Sequence, residues 1–571
     1  MDTTSVEQNS FIIKSLNTLS ALSALAAFFL LLLGHVDFLK PYLSTINKLH
    51  TGIIYLFLLD ILIKLATTIR KPSYLKENWI DCLTIVPVLL LITGTGNKEV
   101  EIILKLFVVN TMLLSRAGKV KFFFSSIGFK PARLIITGYF LSICSGAILL
   151  SLPSACAPGN EIPLIDALFT STSAVCITGL TVHDTATYFS RFGQIIILLL
   201  VQLGGLGIMT FSVFLVILLG RRVGINKRII MHDVLDRDEL SGAVRTITFI
   251  FRITLLFEVI GAISLSILWY SKFGSIKESL YHGCFHSISA FCNAGFSTFS
   301  DSLMGFASDT GTNVVICLLV ISGSLGFMVF RDLFEKYVPQ LSDRRRSRPR
   351  LKIQTVIIFF VSLILIITGS LAIYAFETNG EFFGSQVKTG ILRALFQSTV
   401  TRSAGFNTCD ISQLSSASLF LMLILMFIGG APGSTGGGLK ITTVAVLWRT
   451  MISGFSQKRN VEILKRTIPS DTIQKATTLL LFYLLLLGGF VLILLAIEDL
   501  PLINIVFEVV SAGATVGLST GITANLSEAG RVLIMTLMFV GRLGLLTIGY
   551  ALVLNQRNVD YTYAEERVMI G

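Results

Sequence analysis

Long apolar segments separated by short polar ones run along the whole chain. From residue 133 they come in pairs, and a short stretch of mixed apolar and hydroxyl residues lies between the members of each pair. A membrane-crossing helix needs roughly 20 apolar residues, so each long segment predicts a crossing and each short stretch a helix that enters the bilayer only halfway. The pairs are predicted at 133–152 and 192–220, 245–270 and 311–336, 352–377 and 416–447, and 473–497 and 529–555.

The intervening stretches resemble one another at a period of roughly 110 residues, the signature of an internal repeat. In three of them a Phe precedes a Gly by ten residues, and the third is one residue shorter. The strings are FTSTSAVCITGLT from Phe169, FHSISAFCNAGFS from Phe285, FQSTVTRSAGFN from Phe396 and FEVVSAGATVGLS from Phe507. They predict an all-α polytopic membrane protein with four tandem helix–pore loop–helix repeats in a pseudo-fourfold arrangement. Non-helical backbone at membrane depth further implies a shared aqueous centre.

Composition agrees with a chain that lies mostly in a membrane. Of its 571 residues 53% are hydrophobic and 14% charged, and the mean hydropathy is +0.78. A soluble enzyme, a nucleic-acid-binding domain or a disordered regulator would expose these apolar stretches to water, so these classes are excluded. The net charge of +12 is concentrated on linkers such as the one with Arg344, Arg345 and Arg346, which predicts cytoplasmic linkers and cytoplasmic termini.

The glycine of each string predicts a backbone site for a cation. Glycine at the end of a re-entrant helix can adopt φ > 0, so consecutive carbonyl groups can turn toward one axis and replace the water shell of an ion. The negative C-terminal ends of the four helices would favour a cation over an anion. The structural alternative is that these glycines only permit tight helix packing. The predicted filter residues are Thr178, Gly179, Leu180, Ala294, Gly295, Phe296, Ala404, Gly405, Phe406, Val516, Gly517 and Leu518.

A glycine-rich run interrupts the second apolar segment of the third repeat. FIGGAPGSTGGGLKITT, from Phe427, cannot remain a regular helix, because a glycine costs about 1 kcal/mol and a proline about 3 kcal/mol relative to alanine. We therefore predict a helix break near mid-membrane. A phosphate-binding loop requires Gly-Lys-Ser/Thr, whereas Leu439 separates Gly438 from Lys440 here, so nucleotide binding is not predicted. Arg542, alone in an apolar segment, is predicted to face the bundle interior or water, with a structural ion pair as the alternative.

The run TVGLST from Thr515 is nearly the signature loop of potassium channels, and residues 133–571 resemble the Trk/Ktr/HKT superfamily of potassium transporters, closest to the Ktr-type membrane subunit. The resemblance implies four repeats around one permeation path, with potassium as the transported ion, no cofactor and no enzymatic activity. A serine at the first filter position is associated with sodium preference in this superfamily, so Gly179 implies potassium. The implied gate residues are Gly429, Gly430, Gly433, Ser434, Thr435, Gly436, Gly437, Gly438, Lys440 and Arg542.

The final run, YTYAEERVMIG from Tyr561, resembles the C-terminus of Ktr-type subunits. This implies a homodimer in the cytoplasmic (inner) membrane, bound to a cytosolic ring of nucleotide-binding regulatory subunits of the KtrA/TrkA type. A sodium-permeable or sodium-coupled potassium transporter is the alternative function. A polytopic membrane enzyme is the distant alternative, since none of the six histidines belongs to a catalytic constellation.

Residues 1–130 precede the resemblance and contain four more apolar segments, at about 11–33, 50–68, 78–96 and 101–115. NWIDCLTIVP from Asn78 is similar to part of a voltage-sensor-type bundle, but the fourth segment carries only Lys105 before Arg116. Each charge crossing the field contributes about 2.3 kcal/mol per 100 mV, so little voltage dependence is available and a packing or assembly role is favoured. The predicted domains are this extension, 1–130, and four pore repeats at 131–225, 226–345, 346–466 and 467–571.

Several charged and histidine residues admit a functional and a structural interpretation. His282 and His286 have metal-ligand spacing on a predicted helix, but no acidic third ligand is nearby and an ordinary pore-helix position is favoured. Arg402 and Glu508 are interpreted as structural charges, paired behind the filter. Three acidic residues beyond the filter glycines either concentrate cations at the outer mouth or are simply solvated; they are Asp184, Asp301 and Asp410.

Overall fold

The computed structural model describes residues 41–67, 98–117, 131–207, 242–337, 351–377, 387–458 and 460–544, with a few positions between 23 and 31 and between 84 and 91. The predicted N-terminal segments 11–33 and 78–96 lie largely outside the described residues. So do the arginine-rich linker at 338–350 and the C-terminal run from Tyr561. In the N-terminal region the structure describes α1, Leu43–Thr67, and α2, Lys98–Ala117.

Four units follow, each with a first helix, a short middle helix and a second helix. Unit one contains α3 (Pro131–Leu150), α4 (Leu164–Val175) and α5 (Arg191–Leu206). Unit two contains α6 (Gly242–Phe273), α7 (Ile276–Phe291), α8 (Thr310–Leu325) and α9 (Phe327–Tyr337). Unit three contains α10 (Ile353–Phe376), α11 (Val387–Val400), α12 (Ser416–Phe427) and α13 (Ile441–Phe455). Unit four contains α14 (Ser470–Ile497), α15 (Leu502–Ala514) and α16 (Glu528–Leu543).

The chain is a multi-pass membrane protein by the length and polarity of its helices. Among the described residues, Thr246–Phe273, Ile353–Phe376 and Ser470–Ile497 are long and apolar enough to cross a bilayer, and α8 with α9 makes a fourth if counted as one bent span. The middle helix α4 has 12 residues and rises about 18 Å, short of a hydrocarbon core of about 30 Å. The first helices expose large apolar side chains, such as Leu371 at 64% and Leu485 at 75%, as a surface facing lipid requires.

Helix α2 attaches the N-terminal region to unit one. Its Asn110 donates a hydrogen bond to Ser145 Oγ of α3 at 3.1 Å, and its Glu99 carboxylate accepts one from Ser154 N at 3.1 Å. Lys105 is buried and forms an ion pair, at 2.6 Å, with the glutamate one turn before it. These contacts agree with a packing role for the extension, which stays a prediction. The apolar side chains at this junction are Leu106, Val109, Cys144 and Ile148.

The second helices of three units end earlier than the sequence predicts. The prediction of one continuous helix over 311–336 is wrong, because α8 ends at Leu325 and α9 continues at an angle of 92° to it. Gly326, between them, has φ 86°, a positive value that glycine adopts without the Cβ clash other residues would meet. The helices predicted to run to 220 and 555 likewise end before Gly207 (φ 76°) and Gly544 (φ 79°), and later residues lie outside the described part. All three ends carry the pattern Gly-x-Leu-Gly.

The break predicted in unit three is confirmed, since α12 ends at Phe427 and α13 begins at Ile441. A short hairpin of β1, Glu462–Ile463, and β2, Arg466–Thr467, follows α13 and was not predicted. Its turn residues both have positive φ, as a type I′ turn requires. With two residues per strand, the hairpin leaves the all-α class unchanged.

Candidate functional site

The four string glycines lie together in a closed ring. Their φ angles, 89° for Gly179, 72° for Gly295, 71° for Gly405 and 93° for Gly517, are left-handed values that glycine adopts readily. A Cβ built on each glycine would overlap a backbone carbonyl oxygen from the string of the following unit, and unit four returns to unit one. The sequence-predicted strings therefore meet around one centre. The overlapped oxygens belong, in order, to Ala294, Ala404, Val516 and Thr178.

In units one, two and four, a Ser-Ala pair stands six and five residues before the ring glycine, and its serine ties the string to its own middle helix. Ser173 Oγ accepts a hydrogen bond from Gly179 N, and Ser511 Oγ accepts one from Gly517 N, both at 3.0 Å. In unit two the corresponding Ser289 donates instead to the carbonyl oxygen of Phe296, at 2.8 Å. These hydrogen bonds fix the backbone on either side of the ring glycine.

The shorter third string has a structural explanation. In the other three units the residue two positions before the glycine is left-handed: Ile177 (φ 58°), Asn293 (φ 59°) and Thr515 (φ 52°). In these units the backbone N–H of the residue before the glycine donates to the carbonyl oxygen five residues earlier. In unit three, Ala404 N instead donates to the carbonyl oxygen four residues earlier, Val400 O, at 2.9 Å. The missing residue removes the left-handed turn and leaves Gly405 in the ring.

In units one, two and three, the middle helix is anchored to the first helix of its unit by the same type of hydrogen bond. Ser171 donates to Ile143 O at 2.6 Å, Ser287 to Glu258 O at 2.7 Å and Ser398 to Ile366 O at 2.9 Å. Three residues after each carbonyl is a glycine, where a Cβ would overlap the serine hydroxyl. Unit four has Val509 at the serine position and so lacks this bond. The glycines are Gly146, Gly261 and Gly369.

A cavity of about 200 Å³ lies on the outer side of the ring and is lined by all four ring glycines. Asp184 also lines it, and accepts a hydrogen bond from Ala186 N at 3.0 Å. The other two acids predicted at the mouth, Asp301 and Asp410, accept backbone hydrogen bonds in local turns and do not line the cavity. Only Asp184 is therefore placed to attract a cation there. The remaining polar lining residues are Thr181, Thr185, Ser297, Ser300, Ser302, Asn407 and Ser519.

The outer rim joins neighbouring units. Arg191 of unit one forms an ion pair with Glu278 of unit two at 2.6 Å, and the hydrogen bond from that guanidinium lowers the pKa of the Glu278 carboxyl. Between units four and one, Arg531 pairs with Asp166 at 2.5 Å. These ion pairs join unit one to both of its neighbours on the outer side.

Polar side chains behind the ring support the loops that follow it. His286 Nε2 is 2.9 Å from Ser297 Oγ, and His282 Nδ1 is 2.6 Å from Thr298 Oγ1. Because His286 Nδ1 donates to His282 O, Nε2 of the neutral ring accepts from the serine hydroxyl. The two histidines, four residues apart, thus hydrogen-bond to the loop after the ring. Their spacing did not predict this supporting role.

Glu508 and Arg402 are both buried, but they do not pair with each other as predicted. Glu508 accepts hydrogen bonds from the hydroxyls of Ser519, at 2.8 Å, and Thr523, whereas Arg402 donates to Ser362 Oγ at 3.4 Å. Glu508 and His286 occupy the same position, directly after the Phe of their strings. A polar residue at this shared position is therefore the sequence feature that could have predicted these hydrogen bonds behind the ring.

The break between α12 and α13 is a folded loop, residues 428–440, which we call the gate loop. Gly429 N donates to Leu439 O at 3.0 Å and Gly430 N to Gly437 O at 3.3 Å, so its two ends pair with each other. A Cβ on Gly429 would overlap the Gly437 carbonyl oxygen, which explains the need for glycine. Lys440 Nζ donates to Gly436 O at 2.7 Å and further secures the loop.

The gate loop contacts the strings two residues before their ring glycines. The amide group of Asn293 and the hydroxyl of Thr435 are 2.8 Å apart. A Cβ on Gly436 would lie 3.1 Å from Ser403 Cβ, and one on Gly437 would overlap Thr515 Oγ1. The loop therefore lies against the inner end of the strings of units two, three and four. Asn293 and Ser403 were not predicted as site residues.

Units two and four also hold the gate loop. At the bend between α8 and α9, Phe327 N donates to Gly433 O at 3.1 Å, and Ala431 N donates to Ser324 O at 3.0 Å. Arg542 of α16 donates to the carbonyl oxygens of Thr435 in the loop and Gly204 at the end of α5. Arg542 thus joins the loop to unit one, so the alternative of a structural ion pair does not describe its contacts.

The arrangement suits the passage of a cation. Backbone oxygens at the C-terminal ends of four helices can replace the water around a monovalent cation. Among the described residues no group of His, Cys, Asp or Glu side chains could hold a metal ion, and the seven described cysteines are free. The gate loop lies against the inner end of three of the four strings.

Comparisons with known proteins agree with this geometry. The family described as "TrkH: Cation transport protein" matches residues 134–559. The Ktr system potassium uptake protein D of Bacillus subtilis is 38% identical over 441 residues, which cover 77% of this chain and 97% of that protein. The potassium/sodium uptake protein NtpJ of Enterococcus hirae is 35% identical over 448 residues, with the same coverage of 77% and 97%.

A solved structure extends the similarity to the fold. The crystal structure of the potassium transporter TrkH from Vibrio parahaemolyticus matches with a TM-score of 0.62 and covers 85% of this chain and 97% of that chain. Since the sequences are 17% identical, this likeness concerns the fold alone.

Proposed function

Because the chain belongs to the TrkH family of cation transport proteins, we propose that it takes up potassium through a channel-like pore. As a transporter it is not an enzyme, and the polytopic membrane enzyme considered above is set aside. The observation that carries the proposal is the closed ring of four left-handed glycines, each against a carbonyl oxygen of the next unit.

The ring is the selectivity filter in this proposal. Potassium, which loses its water more easily than smaller cations, is coordinated by the carbonyl oxygens around the four glycines. The serines of the Ser-Ala pairs and the polar residues behind the ring hold these oxygens in place. The filter residues are those named from the sequence.

The gate loop and Arg542 form the gate. The loop lies against the inner end of the filter, and the guanidinium group links it to α5. A positive charge at this level also opposes the entry of a cation. Conduction requires the loop to move away and Arg542 to release at least one of its carbonyl partners.

Uptake is driven by the ion gradient and the membrane potential. A single charge gains about 2.3 kcal/mol per 100 mV, which corresponds to roughly 50-fold accumulation of potassium. We further propose a homodimer in the cytoplasmic membrane, regulated by a cytosolic nucleotide-binding ring of the KtrA/TrkA type. The support is the C-terminal run from Tyr561 and the similarity to Ktr uptake proteins.

A sodium-permeable or sodium-coupled transporter is the second candidate, favoured by the similarity to the potassium/sodium uptake protein NtpJ. Flux of potassium and of sodium into proteoliposomes, each measured alone and together, separates the two. Potassium flux without sodium supports the first proposal, sodium flux alone supports a sodium-permeable pore, and potassium flux only with sodium supports coupling.

The filter assignment is tested by Gly179→Ser in the same vesicles. The added side chain would overlap Ala294 O and displace a carbonyl oxygen of the ring, so we expect potassium to lose its advantage over sodium. Gly159→Ser is the control, because Gly159 is also left-handed, at φ 91°, but has open space around it. Unchanged selectivity in Gly179→Ser would reject the assignment.

A further inference from the structure

A buried polar cluster lies between units one and two, outside the filter and the gate loop. Glu258 of α6 is 6% exposed and accepts a hydrogen bond from Gln202 Nε2 of α5 at 3.2 Å. Cys292 Sγ, at the end of α7, lies 3.6 Å from Gln202 Oε1 and 3.9 Å from Glu258 Oε1. The partners of this carboxyl group in the described part of the chain are thus an amide and a thiol.

The cluster is particular to this one boundary between units. Glu258 stands three residues before Gly261, and the matching positions of units one and three are Ile143 and Ile366. Gln202 stands two residues before the Gly-x-Leu-Gly pattern of α5, where α8 has Ile321 and α16 has Phe539. An ionisable side chain buried inside a membrane protein is costly and usually has a function. It is also usually paired with a group of opposite charge.

The partner that the geometry offers is the pore arginine. Arg542 donates to Gly204 O, two residues along α5 from Gln202. Gly205 faces Cys292, since a Cβ on Gly205 would lie 2.5 Å from Cys292 Sγ. The Glu258 cluster and Arg542 are thus bound to the same turn of α5.

We propose that Glu258 is the counter-charge onto which Arg542 moves when the gate loop opens. This inference rests on the proposed gate. When the loop leaves, Arg542 loses Thr435 O, and a guanidinium group inside the membrane that has lost a hydrogen-bond partner is strongly disfavoured. Arginine forms two-pronged hydrogen bonds with carboxylates, so an ion pair with Glu258 would stabilise the conducting state. Glu258 is then a positioning residue that acts through Arg542.

A double-mutant cycle on potassium flux in proteoliposomes tests the inference. We expect Glu258→Gln to lower flux about tenfold, the factor set by one charge-assisted hydrogen bond, and Glu258→Asp to retain more flux than the amide. In the Arg542→Ala background, Glu258→Gln should have no further effect. Glu508→Gln is the matched control, a buried acid with hydroxyl partners, whose effect should be the same in both backgrounds.

The outcomes separate the inference from the gate on which it rests. An equal effect of Glu258→Gln in both backgrounds, or equal flux in the Asp and Gln variants, overturns the inference while leaving the gate intact. If Arg542→Ala alone leaves flux unchanged, the gate proposal fails and the inference fails with it. Size-exclusion elution of each variant in detergent identifies any loss of flux that comes from misfolding.

Discussion

The ring of four glycines and the layer directly inside it differ in symmetry. In the ring, all four units contribute a glycine with φ between 71° and 93° against a carbonyl oxygen of the next unit. One layer further in, the variable position of Gly-x-Leu-Gly is Gly205 in unit one, Ser324 in unit two and Arg542 in unit four, while unit three contributes the gate loop. In the proposed function, the symmetric layer supplies four equal ligands to the ion and the asymmetric layer closes a single path.

The proposed roles of the two layers account for this difference. Coordination of an ion on an axis requires similar oxygens at similar distances, so every unit must meet the same backbone demand. A closed path needs only one obstruction, and four equal arginines would repel one another at close range. The inner layer is therefore free to differ, and it holds a single loop by contacts from units two and four.

The largest effect is expected when the symmetric layer is broken. We expect Gly517→Ala to abolish most potassium flux, because the new Cβ would overlap Thr178 O and the left-handed backbone adds about 1–2 kcal/mol for a residue with a side chain. Gly521→Ala is a matched control, since Gly521 has the same φ of 93° but nothing within 4 Å of its Cβ position. Equal losses in the two variants, measured as vesicle flux, would show that strain and not the ring explains the result.

A smaller effect of opposite sign is expected in the asymmetric layer. Arg542→Ala removes two hydrogen bonds from a charged donor, one of them to the gate loop, so the closed state loses stability. The bond to the gate loop contributes about 1.5–3 kcal/mol to the closed state, which predicts a rise in flux of about tenfold or more. Arg531→Ala, on the same helix but paired with Asp166 at the outer rim, should not raise flux. A rise in both variants would contradict a specific gating role.

The sequence predicts the symmetric layer far better than the asymmetric one. The four glycines and the break after Phe427 depend on local backbone requirements, which a short string of residues records. The bend at Gly326 was missed because hydropathy measures the composition of an apolar segment and not its direction. The contacts of Asn293 and Ser403 with the gate loop join residues far apart in sequence, and no local pattern encodes them.

The inner contact between the two layers should give the smallest effect. Thr435→Val keeps the side-chain shape but removes the hydroxyl that lies 2.8 Å from the Asn293 amide group. A neutral hydrogen bond contributes about 0.5–1.5 kcal/mol, so flux should rise about two- to tenfold, with selectivity unchanged because the ring itself is untouched. Thr435→Ser, which retains the hydroxyl, should behave like the parent protein in the same flux assay. If Thr435→Val altered the ratio of potassium to sodium flux, the gate loop would be shaping the filter, and the two layers would not be separable.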